Sequence, residues 1–223
     1  SVSPHTYSCM TDLLLVLDFD GVLFNDTRFK RDYERLFARH GVPRRIHRAA
    51  YAESRALHHG GYRHDLHIML IKKHIPTLQL SRIERGIEEL LAHAGEYFYA
   101  DTLSFLHYWR SRKERTALLS RGNKFQKVKV RASGVARFCK PAIVADTADK
   151  VAPLRRIIKA AAARQVVFID DTKHMVDAVK QNFPHILVLQ MVRRKEQERS
   201  ARADAIVPNL AAARRFIERR TGP

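Results

Sequence analysis

The architecture of this chain turns on Leu13-Leu14-Leu15-Val16-Leu17-Asp18-Phe19-Asp20-Gly21-Val22. A continuous apolar run, Leu13 to Leu17, leads straight into two carboxylates separated by one residue, then a glycine. An apolar run of that length, ended by a turn signal, reads as a strand buried on both faces of a parallel sheet. Alternation along a strand puts Asp18 and Asp20 on one side of its end and Phe19 on the other. Two carboxylates that close need a cation, or one must hold a proton. Gly21 permits a sharp bend after them. The bland alternative is a strand that merely ends in acidic turn residues. Other strands that deliver matching chemistry to the same rim count against it.

Asn25-Asp26 is a turn or N-cap signal, and Phe29, Tyr33, Leu36 and Phe37 then recur at helical spacing. Gly41-Val42-Pro43 stops that helix. Further helices are expected at about 44–58, 64–74 and 80–93. Residues 27–98 therefore read as an all-helical cap, inserted into a core made of 11–26 and 99–223. Residues 1–10 read as a loose arm or an added remnant. From Asp101-Thr102, a helix-capping pair, the texture changes. Strands are expected at 116–119, 142–145, 166–169, 185–189 and 205–207, with helices to Ser111, at 124–133, 150–163 and 173–182, and from Asn209. Strands alternating with helices mean an α/β fold, a Rossmann-like parallel sheet with helices on both faces.

The 223 residues suffice for one substantial core with an insert. A net charge of +18 favours anionic partners and says nothing about fold. Cys9 and Cys139 suggest no disulfide framework, so a reducing, cytoplasmic setting is expected. No apolar run is long enough to span a bilayer, and residues 1–12 lack the basic residues of a secretory signal.

Ligands of such sheets bind beyond the carboxyl ends of the strands. Asp18, Asp20, Ser120, Asp170 and Asp171 are all placed there by the pattern. Mg²⁺ wants oxygen ligands in octahedral geometry. Asp18 and Asp171 can supply them, with a main-chain carbonyl near Asp20 and waters. Ser120, Arg121 and the backbone at Gly122 are candidates to hold phosphate oxygens, and Lys150 to neutralise phosphate charge. Asp18 is then placed to attack phosphorus and form an aspartyl-phosphate. Asp20, if protonated, is placed to serve the leaving oxygen and later take a proton from water.

This set resembles the haloacid dehalogenase (HAD) superfamily. Its first motif is matched by Asp18-Phe19-Asp20-Gly21-Val22, its second by Leu118-Leu119-Ser120, its third by Lys150, and its fourth by Phe168-Ile169-Asp170-Asp171. The resemblance implies a Rossmann-like core, Mg²⁺ and a helical cap after the first strand. An Asp at position 20 resembles the phosphatase branch. Many members carry another Asp four or five residues after the fourth motif, where this chain has Met175 and Val176. The paired-Asp variant is the better match; there the second Asp, here Asp171, meets the metal and Asp170 supports it. Lys140, which precedes a proline, competes with Lys150 for the third motif.

The helical block also holds His40, His47, His58, His59, His64, His67, His74 and His93. No zinc-ligand spacing is present among them. His59, Arg63 and His64, around Gly60-Gly61, are the candidates for substrate contact. Residues 121–140 hold Arg121, Lys124, Lys127, Lys129, Arg131, Arg137 and Lys140 and no acid. A solvated helix face is the expected reading and a polyanion track the sharper one. Arg193 to Arg202 reads as a solvated charged loop. The expected function is a Mg²⁺-dependent phosphomonoester hydrolase for a small phosphorylated metabolite. The alternatives are a nucleotide or nucleic-acid end phosphatase, a phosphomutase, and a non-catalytic nucleic-acid-binding module on the same fold.

Overall fold

A computed structural model describes residues 12–57, 62–147 and 149–222. Its strands are β1 (Leu13–Leu17), β2 (Arg115–Arg121), β3 (Ala142–Ala145), β4 (Gln165–Asp170), β5 (Leu187–Met191) and β6 (Ala205–Val207). They form one parallel, Rossmann-like sheet in the order β3-β2-β1-β4-β5-β6. The chain runs outward from β1 to β3, then returns past β1 to build the other half from β4. Such a reversal opens a crevice at the carboxyl ends of the strands on either side of it. Here those strands are β1 and β4, which deliver Asp18 and Asp170-Asp171. Leu17 lies opposite Ile169, and the Asp18 amide donates to the Ile169 carbonyl at 2.9 Å, which fixes the two acidic ends level with each other.

Both faces of β1 are buried, which is why it reads as an unbroken apolar run rather than an alternating one. Leu13, Leu15 and Leu17 pack with Phe105, Trp109, Leu210 and Ile217 of helices α5 (Thr102–Ser111) and α9 (Leu210–Thr221). Leu14 and Val16 pack with Leu154, Ile157, Val176 and Val179 of α7 (Val151–Ala161) and α8 (Lys173–Asn182). The remaining core helix, α6 (Lys124–Ala132), follows β2. Between β1 and α5 lie α1 (Asp26–Arg39), α2 (Arg44–Ala56), α3 (His64–His74) and α4 (Leu80–Ala92), and no strand among the described residues. The Asn25 side chain caps α1 by accepting from the Arg28 amide at 3.0 Å.

The structure corrects three local expectations. β5 spans 187–191 rather than 185–189. The Ile186 amide turns back to the Phe183 carbonyl, so it is spent on a turn after Pro184. Asp101 occupies the N-cap position of α5 without capping it. Its carboxylate instead accepts from Arg193 and, at 2.7 Å, from the Leu210 amide, drawn away from its own helix by the charge-assisted bond to the guanidinium. The loop after β5 is not simply solvated. Arg193 donates to the Val22 carbonyl at 2.9 Å and lies 3.7 Å over the Tyr99 ring, and Ser200 is buried.

Candidate active site

The crevice opens into a cavity of about 690 Å³ lined by Asp18, Asp20, Ser120, Arg121, Lys150 and Asp171 together with residues of α1, α2 and α6. Asp18 and Asp20 both face it, while Phe19 turns into the core and stacks on Phe24 at 4.7 Å. Past Asp20 the chain bends at Gly21, whose φ is +76°. A Cβ there would collide with Asp171 Oδ2, so the position needs glycine both for its conformation and for the close approach of Asp171.

Carboxylate oxygens of Asp18, Asp170 and Asp171 lie within 4.8 Å of one another. Lys150 Nζ, itself buried, donates to Asp18 Oδ1 and to Asp170 Oδ2, both at 2.6 Å. Burial alone would lower the Lys150 pKa; the two carboxylates reverse that and raise it. Burial pushes Asp18 well up, with Lys150 pulling the other way and Asp170 and Asp171 adding to the rise. Asp171 is pushed up to about 7, by burial first and then by Asp170. Three carboxylates against one ammonium leave a formal charge of −2 when all are ionised. A divalent cation among hard oxygen donors would cancel it. The residues present therefore fit Mg²⁺.

Asp170 is fully buried and also accepts from the Thr172 amide at 2.8 Å, whereas Asp171 faces the cavity. Asp171 is held from behind: Gln197 donates to its main-chain carbonyl at 2.7 Å and Gln190 at 3.2 Å. Of the two candidate lysines, Lys150 sits in the cluster. Lys140 is exposed and precedes β3, at the amino-terminal rim of the sheet, away from the acids.

The Asp20 carboxylate is not part of the acidic cluster. Lys129 Nζ of α6 donates to both its oxygens, at 2.7 and 2.9 Å, and Gln126 Nε2 donates to Oδ2 at 2.9 Å. Gln126 also donates to Ser120 Oγ at 2.9 Å, linking the ends of β1 and β2. Lys129 is buried, and its ammonium lies 4.9 Å over the Phe24 ring and 5.5 Å over Phe29. This corrects the solvated-face reading of the basic stretch. Lys124, Lys127 and Arg131 are exposed, but Lys129 turns inward. The sequence signal was available: Gln126, Lys129, Val130 and Ser133 recur at helical spacing and are the buried stripe of α6.

The candidate substrate contacts divide. His59 lies outside the described residues. Arg63 pairs with Asp65, and neither Arg63 nor His64 lines the cavity. The histidines instead anchor an aromatic network. His67 Nε2 meets the His47 carbonyl at 3.2 Å and must donate to it. Burial, then the His47 charge, lowers the His67 pKa to about 3, so the ring is neutral and its Nδ1 accepts from the Tyr62 hydroxyl at 3.0 Å. The Tyr62 oxygen then accepts from Tyr33 at 2.7 Å, and the Tyr33 oxygen from His64 Nδ1 at 2.8 Å. Among the described residues the acidic cluster is the one group with metal-ligand geometry, and the histidines form none.

No protein-family profile matches the chain, and no curated protein matches it. Solved structures do match. A protein assigned as a haloacid dehalogenase-like hydrolase from Burkholderia xenovorans superposes with a TM-score of 0.70 at 17% identity, covering 89% of this chain and 93% of the other. A HAD phosphatase from Thermococcus onnurineus gives 0.66 at 16% identity, covering 92% and 97%. A protein assigned as a HAD hydrolase from Bacillus subtilis, solved with magnesium, gives 0.64 at 11% identity, covering 92% and 98%. The chain has the haloacid dehalogenase fold. Among the described residues no helix is long and apolar enough to cross a membrane.

Proposed function

We propose that the protein is a Mg²⁺-dependent hydrolase of a small phosphomonoester, working through an aspartyl-phosphate on Asp18. The observation that carries this reading is the acidic cluster, with its formal charge of −2 at the carboxyl ends of β1 and β4. A dehalogenase needs only a nucleophile, and a surplus of two buried negative charges would work against it. A phosphatase needs a cation there to let two anions meet. Asp18, Asp171 and Asp170, with the main-chain carbonyl of Asp20, are the residues that would hold Mg²⁺. When bound, it supplies positive charge to the phosphate and to the carboxylates around it.

The chain's own residues divide the remaining work. Lys150 holds Asp18 Oδ1 and leaves its second oxygen to attack phosphorus as the bond to the leaving oxygen breaks. Ser120 and Arg121, which line the cavity, bind the transferring phosphoryl oxygens. Asp20 gives a proton to the leaving alkoxide, then takes one from the water that cleaves the acyl phosphate. Helices α1 to α4 act as a cap, and a cavity of this size suits a small substrate rather than a nucleic acid end.

The test is turnover of a panel of phosphorylated metabolites with and without Mg²⁺, alongside Asp18→Asn. Asp18→Asn keeps the shape of the side chain but is not a competent nucleophile. Loss of at least a thousandfold in kcat, and beryllium fluoride bound next to Asp18 of the unmutated enzyme only with Mg²⁺, are expected. Undiminished turnover by a pure Asp18→Asn sample would refute the mechanism.

A further inference from the structure

The cavity lining is of two unlike kinds, and the second is a set of rings. Phe29 and Tyr33 of α1, Tyr51 of α2, Tyr62, and Phe125 of α6 line the same space as the acidic cluster. Tyr51 and Tyr62 stack at 5.1 Å and 28°. Phe125 meets Tyr62 edge-on at 5.8 Å and Tyr33 edge-on at 6.1 Å. The hydroxyls of Tyr33 and Tyr62 are already committed to each other and to His64 and His67, along one directed chain of hydrogen bonds. What these two residues can offer a ligand is therefore ring surface, not polar tips. The wall is also tied to the phosphate end. Asn123 Nδ2, in the turn after β2 and three residues past Ser120, donates to the Tyr62 carbonyl at 2.5 Å. Ring wall and phosphoryl loop are thus held in register by a direct bond between them.

We propose that the organic half of the substrate is a flat aromatic or heteroaromatic ring, bound against Tyr51, Tyr62 and Phe125 while its phosphomonoester reaches Asp18. This rests on the phosphatase reading of the site and names its substrate class. One face of Phe125 is taken by His64, stacked on it at 4.7 Å, and a further flat ring makes offset and edge contacts with the ring surface that lines the cavity. A saturated ring of the same size is thicker and lacks the charge distribution those contacts use. Ring faces also attract cations, and charges of both signs line this cavity, Asp26 and Asp146 as well as Lys30, Arg121 and Arg194, so a cationic headgroup is the competing occupant that the experiment tests.

The experiment compares benzyl phosphate with cyclohexylmethyl phosphate, which share a leaving-group type and differ in flatness, and adds phosphocholine as the cationic arm. The unmutated enzyme with Mg²⁺ should prefer benzyl over cyclohexylmethyl phosphate by about tenfold in kcat/KM, the scale of one aromatic pair. Tyr51→Leu and Phe125→Leu, both at half-buried positions, should each bring that ratio toward one. Equal rates for the two esters, a ratio unmoved in both variants, or a preference for phosphocholine would overturn the proposal. A separate readout protects it from failure of the phosphatase reading. Calorimetry on Asp18→Asn should show benzyl phosphate binding more tightly than cyclohexylmethyl phosphate even if no ester is ever turned over. Equal binding there refutes the ring site whatever the chemistry.

Discussion

Replacing Lys129 by methionine removes one buried ammonium and leaves the rest of α6 as it is. Methionine fills the same space and keeps a polarizable contact with Phe24 and Phe29, so the change reports mainly on charge. The lost pair is a charge-assisted one, worth about 1.5–3 kcal/mol. The lost cation–π contacts add up to about 2 kcal/mol at a desolvated site. A one-sided deletion of a fully buried pair costs about 3–5 kcal/mol, but the Asp20 side chain keeps 34% exposure toward the cavity, and water can take over part of the role of Lys129. The net expectation is a loss of about 2 kcal/mol, or roughly 4–8 °C in Tm for a domain of this size.

The functional consequence separates two roles. If Lys129 and Gln126 hold Asp20 where it can protonate a leaving alkoxide, Lys129→Met should lower kcat at least tenfold for an alkyl phosphate. KM should change much less. For 4-nitrophenyl phosphate, whose leaving group needs no proton, the loss should be no more than about threefold, since acid catalysis typically contributes 10²–10⁴-fold only where a proton is required. Lys127→Met, two residues away and exposed, is the control and should alter neither Tm nor kcat. Equal losses on both substrates, or a Lys129→Met enzyme as stable and as fast as the Lys127→Met one, would refute the reasoning.

Three further outcomes are expected. Asp171→Asn removes one of three crowded carboxylates, so without metal it should raise Tm, while the Mg²⁺ needed for half-maximal activity rises at least tenfold; Asp170→Ala should instead lower Tm, because it leaves Lys150 with one buried partner fewer. Gly21→Ala should cost on the order of 1–3 kcal/mol of stability in backbone strain, seen as a lower Tm, and weaken Mg²⁺ activation, since its Cβ would collide with Asp171; an unchanged metal titration would contradict that geometry. His67 has a folded pKa of about 3 against 6.5 for the free side chain. The unfolded chain therefore binds more protons below pH 6.5, and stability should fall as pH drops from 6.5 toward 3, by up to about 1.4 kcal/mol per pH unit for this group. His67→Gln should flatten that slope in thermal melts.

The strands were legible because burial on both faces writes itself as apolar runs, and because each run feeding the site ends in residues that cannot stay in a dry core. Leu13–Leu17 and Val166–Ile169 stand out from any neighbouring helix by length and by the carboxylates at their ends. The misplacement of β5 has the opposite cause. His185 and Ile186 are apolar enough to extend a strand, and only the three-dimensional turn at Pro184 withdraws the Ile186 amide from the ladder. Asp101 shows the same limit. Its preference for a cap is local, and Arg193, far along the chain, overrides it.

The site divides along the same line. Asp18, Lys150, Asp170 and Asp171 come from strand ends, and strand ends of a parallel sheet converge by topology alone, so naming them needs no side-chain geometry. The aromatic wall converges by packing of α1, α2, α6 and the segment at Tyr62. Nothing in the spacing of Tyr33, Tyr51, Tyr62 and Phe125 shows that they meet. Lys129 falls between these cases. A run of like charges on a helix averages to a solvated face, and the average hides one member that points inward. The stripe Gln126–Lys129–Val130–Ser133 carries the correction, because a buried helix face is set by period and not by polarity. A lysine on that period, in a helix that follows the Ser120 strand, has to find a carboxylate or lose its charge. Asp20 is the carboxylate that meets it. The same helix thus sets both the position of the proposed acid, through Lys129 and Gln126, and one wall of the ring site, through Phe125 one residue before Gln126.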